Sequence, residues 1–316
     1  MSSLPLARRP LGRTGLTVTA LGLGGAYLGY SPAGFSDDQA TATVLAALGA
    51  GLRFIDTSPL YGESERRLGQ ALTAWQQQGG RRADLVLCTK TGTRTRPADY
   101  SFDGTLRSVE ASLKLLQTDY LDVVLVHDPS PAGLEQALAP NGAFAALRRL
   151  RDEKTIRSIG LGVREHAHHQ RCLAADAIEV SLTYLDFNLL YQSAWAGVLQ
   201  PMAGAGRGVL NAMLLAGGLL SGAEPRVLAA GSKRRFAAEE VARAQALWEW
   251  ARDRGVSLLA LNLQYSLHRP EVSVTLVGAA SPAEITADLA AAAAPLPAGI
   301  WAELGERFGI APLPVK

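Results

Sequence analysis

Three side chains able to hold or move a proton stand at the ends of short apolar runs in this 316-residue chain, and a fourth follows close behind the first. Asp56 closes Arg53-Phe54-Ile55, Lys90 closes Leu85-Val86-Leu87-Cys88-Thr89, and His127 closes Tyr120-Leu121-Asp122-Val123-Val124-Leu125-Val126. Tyr61 follows Asp56 by five residues. Runs of this length and composition read as buried strands. Delivered at the same end of three neighbouring strands, the acid, the amine and the imidazole would share one pocket, and Tyr61 could reach it. Asp56 and Lys90 would pair there, since either charge buried alone is costly. A phenol with its ordinary pKa near ~10 exchanges protons poorly at neutral pH. A nearby ammonium would favour the phenolate and lower that value. His127 can donate a hydrogen bond to a substrate oxygen and orient it. The chemistry is proton exchange around one oxygen, with no evident nucleophile and no metal set. Each residue alone reads as structural; the convergence of four is what points to a site.

Strand-like and helix-like segments alternate along the chain, and eight such units can be read. They are 18–22 then 38–50, 53–56 then 63–78, 85–90 then 104–116, and 120–127 then 143–153. The rest are 157–162 then 165–175, 177–182 then 193–203, 208–212 then 237–254, and 272–277 then 282–293. Ser36 or Asp37 can cap the first helix. Most of the strands are dominated by apolar residues, as expected where both faces are covered. Eight units in one domain over residues 1–316 predict a (β/α)8 TIM barrel, whose functional site lies at the C-terminal ends of the strands. A doubly wound sheet binding a dinucleotide would want G-x-G-x-x-G after its first strand. Leu21-Gly22-Leu23-Gly24-Gly25-Ala26 lacks that spacing. Residues 11–17 read as part of a β-hairpin capping the barrel floor. The polar segment 221–235 interrupts the seventh unit and reads as a flap over the top.

With 48% hydrophobic and 19% charged residues, the composition is that of a globular protein, not a disordered one. A net charge of +2, with no basic run beyond Lys233-Arg234-Arg235, argues against nucleic-acid binding. No apolar stretch approaches the roughly 20 residues that span a bilayer. Cys88 and Cys172 are the only cysteines and read as reduced thiols of a cytoplasmic protein. His166, His168 and His169 open a surface helix without the spacing of a known ligand set, so no metal is expected.

Four elements in order carry a family resemblance. Leu11-Gly12-Arg13-Thr14-Gly15-Leu16 with Leu21-Gly22-Leu23-Gly24 resembles an L-G-x-[TS]-G-L…L-G-x-G opening. Asp56-Thr57-Ser58-Pro59-Leu60-Tyr61-Gly62 resembles D-T-[AS]-x-x-Y-G, and Lys90 falls at a strand-three lysine. Ser112-Leu113-Lys114-Leu115-Leu116-Gln117-Thr118-Asp119-Tyr120-Leu121-Asp122, followed by His127, resembles S-L-x-x-L-x-x-D-Y-x-D…H. The sequence resembles the aldo-keto reductases over nearly its whole length. The resemblance implies a barrel that holds a nicotinamide cofactor in an extended pose. It makes Tyr61 the general acid/base, Lys90 its pKa-lowering partner, Asp56 the partner of Lys90, and His127 the substrate-orienting group.

The segment Leu276-Val277-Gly278-Ala279-Ala280-Ser281-Pro282-Ala283-Glu284-Ile285 resembles the family's adenosine-phosphate loop at the start of the last helix, where a helix N-terminus suits a phosphate. Gly278, Ala279, Ala280, Ser281, Glu284 and Asp288 are candidate cofactor contacts, with Gly25 after the first strand. No Lys or Arg lies between Val274 and Asp288, and a carboxylate would repel a 2′-phosphate, so NAD is favoured over NADP. The family's Ser-Asn after strand five is replaced by Gly160-Leu161-Gly162-Val163-Arg164-Glu165, and its strand-six glutamine by Tyr184. Asn188 and Asn211 are the candidate substitutes for holding the carboxamide. Asp56-Thr57-Ser58-Pro59, Leu263-Gln264-Tyr265-Ser266-Leu267 and Leu276-Val277-Gly278 resemble the aldose 1-dehydrogenase branch, which includes L-galactose, L-fucose and D-threo-aldose dehydrogenases. These oxidise the anomeric carbon of a free sugar to a lactone. Tyr27, just past the first strand, would line the sugar pocket. The alternatives are an aldehyde or pyridoxal oxidoreductase with the same tetrad, and a cofactor-sensing barrel that turns over slowly.

Overall fold

The structure, a computed structural model, describes residues 4–30 and 35–311. Among the described residues ten strands form: β1 Arg8–Pro10, β2 Thr17–Thr19, β3 Leu21–Gly24, β4 Phe54–Asp56, β5 Val86–Thr91, β6 Leu121–His127, β7 Ile156–Gly162, β8 Val180–Tyr184, β9 Gly208–Ala212 and β10 Val274–Gly278. Strands β3 to β10 are parallel and close into a barrel in chain order, β10 pairing with β3. The antiparallel pair β1–β2 lies outside it. Leu11 and Val18 of this hairpin pack into the barrel-interior cluster and so plug the floor.

Alternation along the strands decides what each residue faces. Phe54, Val86, Cys88, Val123, Leu125, Val180, Leu182, Leu210, Val274 and Leu276 fill the interior. Their neighbours Ile55, Leu87, Val124, Val126, Leu161, Val209 and Val277 face the helix layer. Asp56 follows Phe54 by two, Lys90 follows Cys88 by two, and His127 follows Leu125 by two. The tetrad's three strand-borne groups thus share the interior parity at the open end.

The helices follow the predicted alternation closely. Ser36 caps Asp37–Gly49 through a reciprocal box with Gln39, and Ser101 caps Phe102–Leu116. Four differences from the expected elements have physical causes. The first barrel strand is Leu21–Gly24, not 18–22, because the run breaks at Ala20, whose N–H donates to Ala7 O. The sixth is Val180–Tyr184, not 177–182, because the Ala177 N–H closes the preceding helix on Cys172 O. The span 193–203 becomes a π-helical turn, Trp195–Leu199, before Gln200–Gly204. Pro201 has no N–H to give residue 197 and would crowd its carbonyl. Leu258–Leu267 was not expected as a helix: nine of its ten residues are buried, so it carries no amphipathic period. Helices Pro131–Leu138 and Ile300–Phe308 and a turn at Ala26–Gly29 are further additions, and 221–235 contains helix Pro225–Gly231. No described helix is long and apolar enough to cross a membrane.

Candidate active site

Lys90 Nζ donates to both Asp56 carboxylate oxygens, at 2.7 and 2.6 Å, and to Thr57 O at 2.9 Å. All three ammonium protons are therefore engaged, which is what a buried ion pair needs to offset its desolvation. The Gly25 N–H donates to Asp56 O at 2.6 Å, fastening the neighbouring strand end to this one. After β4 the chain turns sharply: Tyr61 N–H donates to Ser58 O, Ser64 N–H donates to Tyr61 O, and Gly62 takes a left-handed φ of 52°. Gly29 lets this turn approach, since a Cβ there would meet Tyr61 O at 1.6 Å. The turn carries Tyr61 back over the ion pair, with Lys90 Nζ 4.9 Å from its ring centroid.

His127 stands perpendicular to Tyr61, ring centroids 6.0 Å apart. Its Nδ1 lies 3.1 Å from Ser58 Oγ and 2.9 Å from Thr93 Oγ1. Ser58 Oγ already accepts the Leu60 N–H, so its own proton is free for Nδ1. That arrangement suits a ring protonated on Nε2, which faces Asp128 Oδ2 at 3.4 Å. Tyr100 anchors the strand end by donating to His127 O at 2.8 Å.

The electrostatics follow from burial and these partners. Burial opposes the Lys90 charge, but Asp56 and Tyr61 outweigh it and raise the Lys90 pKa, so the ammonium persists. Burial, reinforced by Lys90, holds His127 well below its ordinary 6.5, leaving a neutral imidazole. Burial raises Tyr61 above its ordinary 10.0; Lys90 pulls it down and Asp56 pushes it up. The Lys90 effect has the expected sign, but burial outweighs it. An oxygen held between Tyr61 and His127 would meet a phenol able to exchange a proton and a neutral donor able to orient it.

Other expected residues are placed differently. Asn211 has the outward parity of its strand and is fully buried, its amide donating to Phe187 O and Ser266 Oγ. Asn188 is also buried, and its side chain ties Leu185 O to the Leu190 and Tyr191 N–H groups. In this structure both side chains brace the loop after β8. Tyr27 packs over Gly278, where a Cβ would come within 2.6 Å of its ring, so it borders the candidate coenzyme loop. In that loop Ala279 is buried, Ser281 caps helix Pro282–Ala293, and Glu284 accepts the Ala280 N–H at 2.8 Å. Asp288, one turn on, is 5% exposed. His168 and His169 are buried, not on the surface; His169 holds Val163 O and Ser181, while His166 pairs with Asp186 at 2.6 Å.

Sequence reasoning missed Ser58, Thr93 and Asp128. Asp128 was visible as the residue after His127, but nothing in its type says that its side chain turns back to the site. It does so at a φ of 41°, and its Oδ1 accepts from the Tyr184 hydroxyl at 3.1 Å. Asp128 and Tyr184 line a cleft of about 710 Å³ with Val163, Arg164, His166 and Asp186.

Residues 20–306 match the Aldo/keto reductase family. Over 90% of its length the chain is 33% identical to 87% of an L-galactose dehydrogenase from Arabidopsis thaliana. It is 31% identical to a D-threo-aldose 1-dehydrogenase from a Pseudomonas species, over 92% of this chain and 94% of that one. It is also 31% identical to a pyridoxal 4-dehydrogenase from Microbacterium luteolum, over 94% and 96%. A closed eight-stranded barrel, a match over most of its length and relatives that are dehydrogenases lead to one conclusion: the chain belongs to the aldo/keto reductase family and is an oxidoreductase.

Proposed function

We propose that this reductase oxidises the anomeric carbon of a free aldose to the lactone, with NAD as its coenzyme. The observation that carries the reading is the ion-paired Lys90 beneath Tyr61, with neutral His127 beside them. The family works with NAD(P)H, and the residues present fit such a group. Ser281 opens a helix whose first turn carries the carboxylate of Glu284, already holding a backbone N–H. That end suits a ribose 2′-hydroxyl better than a 2′-phosphate, which the carboxylate would repel. Arg164 and Tyr184 offer polar partners in the cleft. When bound, the oxidised coenzyme supplies the hydride acceptor.

Tyr61 acts as general base toward the anomeric hydroxyl, worth about 10²–10⁴-fold. Lys90 favours its phenolate, Asp56 keeps Lys90 charged and fixed, and His127 orients the sugar oxygen through Nε2–H. Likeness to the L-galactose and D-threo-aldose dehydrogenases supports the sugar. The pyridoxal 4-dehydrogenase, of similar identity, supports a second reading in which an aromatic aldehyde is the substrate. Coenzyme reduction measured with free aldoses and with pyridoxal decides between them.

A further inference from the structure

The carboxylate beside His127 has no part in the chemistry assigned to the tetrad. Its Oδ2 faces His127 Nε2 at 3.4 Å, and its Oδ1 is held by the Tyr184 hydroxyl at 3.1 Å. The side chain is 34% exposed and lines the cleft, so its remaining lone pairs are open to a ligand there, beside His127. A carboxylate accepts hydrogen bonds and donates none, and it repels a neighbouring anion. Glu165 in the cleft adds to that sign, Asp186 is held by His166 at 2.6 Å, and Arg164 is basic.

We propose that Asp128 is a specificity-determining residue: its carboxylate accepts a hydrogen bond from a hydroxyl next to the reacting carbon and excludes substrates that carry an anion there. The proposal deepens the aldose reading and rests on it for the natural substrate, but the preference itself can be read on simple aldehydes. Tyr184 is the positioning residue that fixes the carboxylate. A hydroxyl bonded to a charged acceptor carries about 10–100-fold in selectivity against an analogue that lacks it.

The experiment compares glyceraldehyde, propanal and glyoxylate in the reductive direction, in the wild-type enzyme and in Asp128→Asn. Asn keeps the shape and tolerates the left-handed φ of 41° at this position. The kcat/KM ratio of glyceraldehyde to propanal is expected to fall about 10-fold or more in the variant, mainly through the KM of glyceraldehyde. The preference for glyceraldehyde over glyoxylate is expected to narrow. Both ratios are read within one protein sample, so a loss of folded enzyme cancels. Tyr184→Phe, which keeps the charge but frees the carboxylate, is expected to shift the first ratio the same way by less. An unchanged ratio in both variants, or an equal loss on all three aldehydes, would overturn the proposal. A wild-type enzyme that oxidises no free aldose would sink the aldose reading and leave this ratio still measurable.

Discussion

Lys90 is the residue on which the proposed proton chemistry turns. Its ammonium is held at 2.6–2.9 Å by three oxygens and lies against the Tyr61 ring. Burial already raises the Tyr61 pKa, with Lys90 opposing, so Lys90→Met removes the opposing effect and raises it further. Less phenolate then exists at neutral pH. Oxidation should fall by about 10²-fold or more near pH 7 and recover in part toward alkaline pH. A pH–rate profile of the variant parallel to that of the wild type would remove the coupling. The same change strands Asp56, so a loss of stability of about 3–5 kcal/mol is expected wherever that carboxyl stays ionised. The tetrad was legible in the sequence because each strand-borne member ends an apolar run at interior parity. Asp128 was not, because a left-handed backbone turn, not parity, sends its side chain back to His127. Asn211 stands near the C-terminal end of its strand but at the outward parity, which the sequence alone did not reveal.

Among the elements, helix Pro282–Ala293 carries the coenzyme argument. Ser281 and Glu284 both satisfy backbone N–H groups at its start, so Glu284 has a structural role whatever it does to a ligand. Glu284→Arg should cost about 0.5–2 kcal/mol in stability. It should also move relative kcat/KM toward NADP by about 1–3 kcal/mol. An unchanged coenzyme ratio would place 2′-phosphate discrimination elsewhere. One turn on, burial and then Glu284 raise the Asp288 pKa from 3.8 to about 7. The unfolded chain therefore ionises this carboxyl from about pH 4, while the folded protein keeps it protonated to about pH 7. Native stability is lost across that window as pH rises. Asp288→Asn should stabilise the protein more at pH 8 than at pH 5, by about 1–3 kcal/mol, in chemical denaturation at the two pH values. An equal effect at both would refute the shift. The elements that escaped sequence reading lacked a period. Leu258–Leu267 is buried on nearly every side, and Trp195–Leu199 is widened by the proline that follows it.

At the scale of the whole molecule, the barrel explains why residues 34 to 71 positions apart meet. Parallel strands in chain order deliver Asp56, Lys90 and His127 side by side, and the floor hairpin closes the other end with Leu11 and Val18. Eight strand–helix units were countable because most strands are dominated by apolar residues and most helices carry caps or acidic first turns. The closed order itself followed from the count. What the barrel does not set is the substrate, which belongs to the loops at its mouth. The central claim is that Tyr61 withdraws a proton from a free sugar while NAD is reduced. Its most direct test is the initial rate of NADH formation with a panel of free aldoses, for the wild-type enzyme and Tyr61→Phe, alongside NAD affinity by fluorescence titration. At least one aldose should be oxidised to its lactone by the wild type, faster with NAD than with NADP. A fall of about 10²-fold or more is expected in Tyr61→Phe, with NAD affinity nearly unchanged. A wild type that oxidises no aldose, or a Tyr61→Phe enzyme that keeps its rate, would contradict that claim.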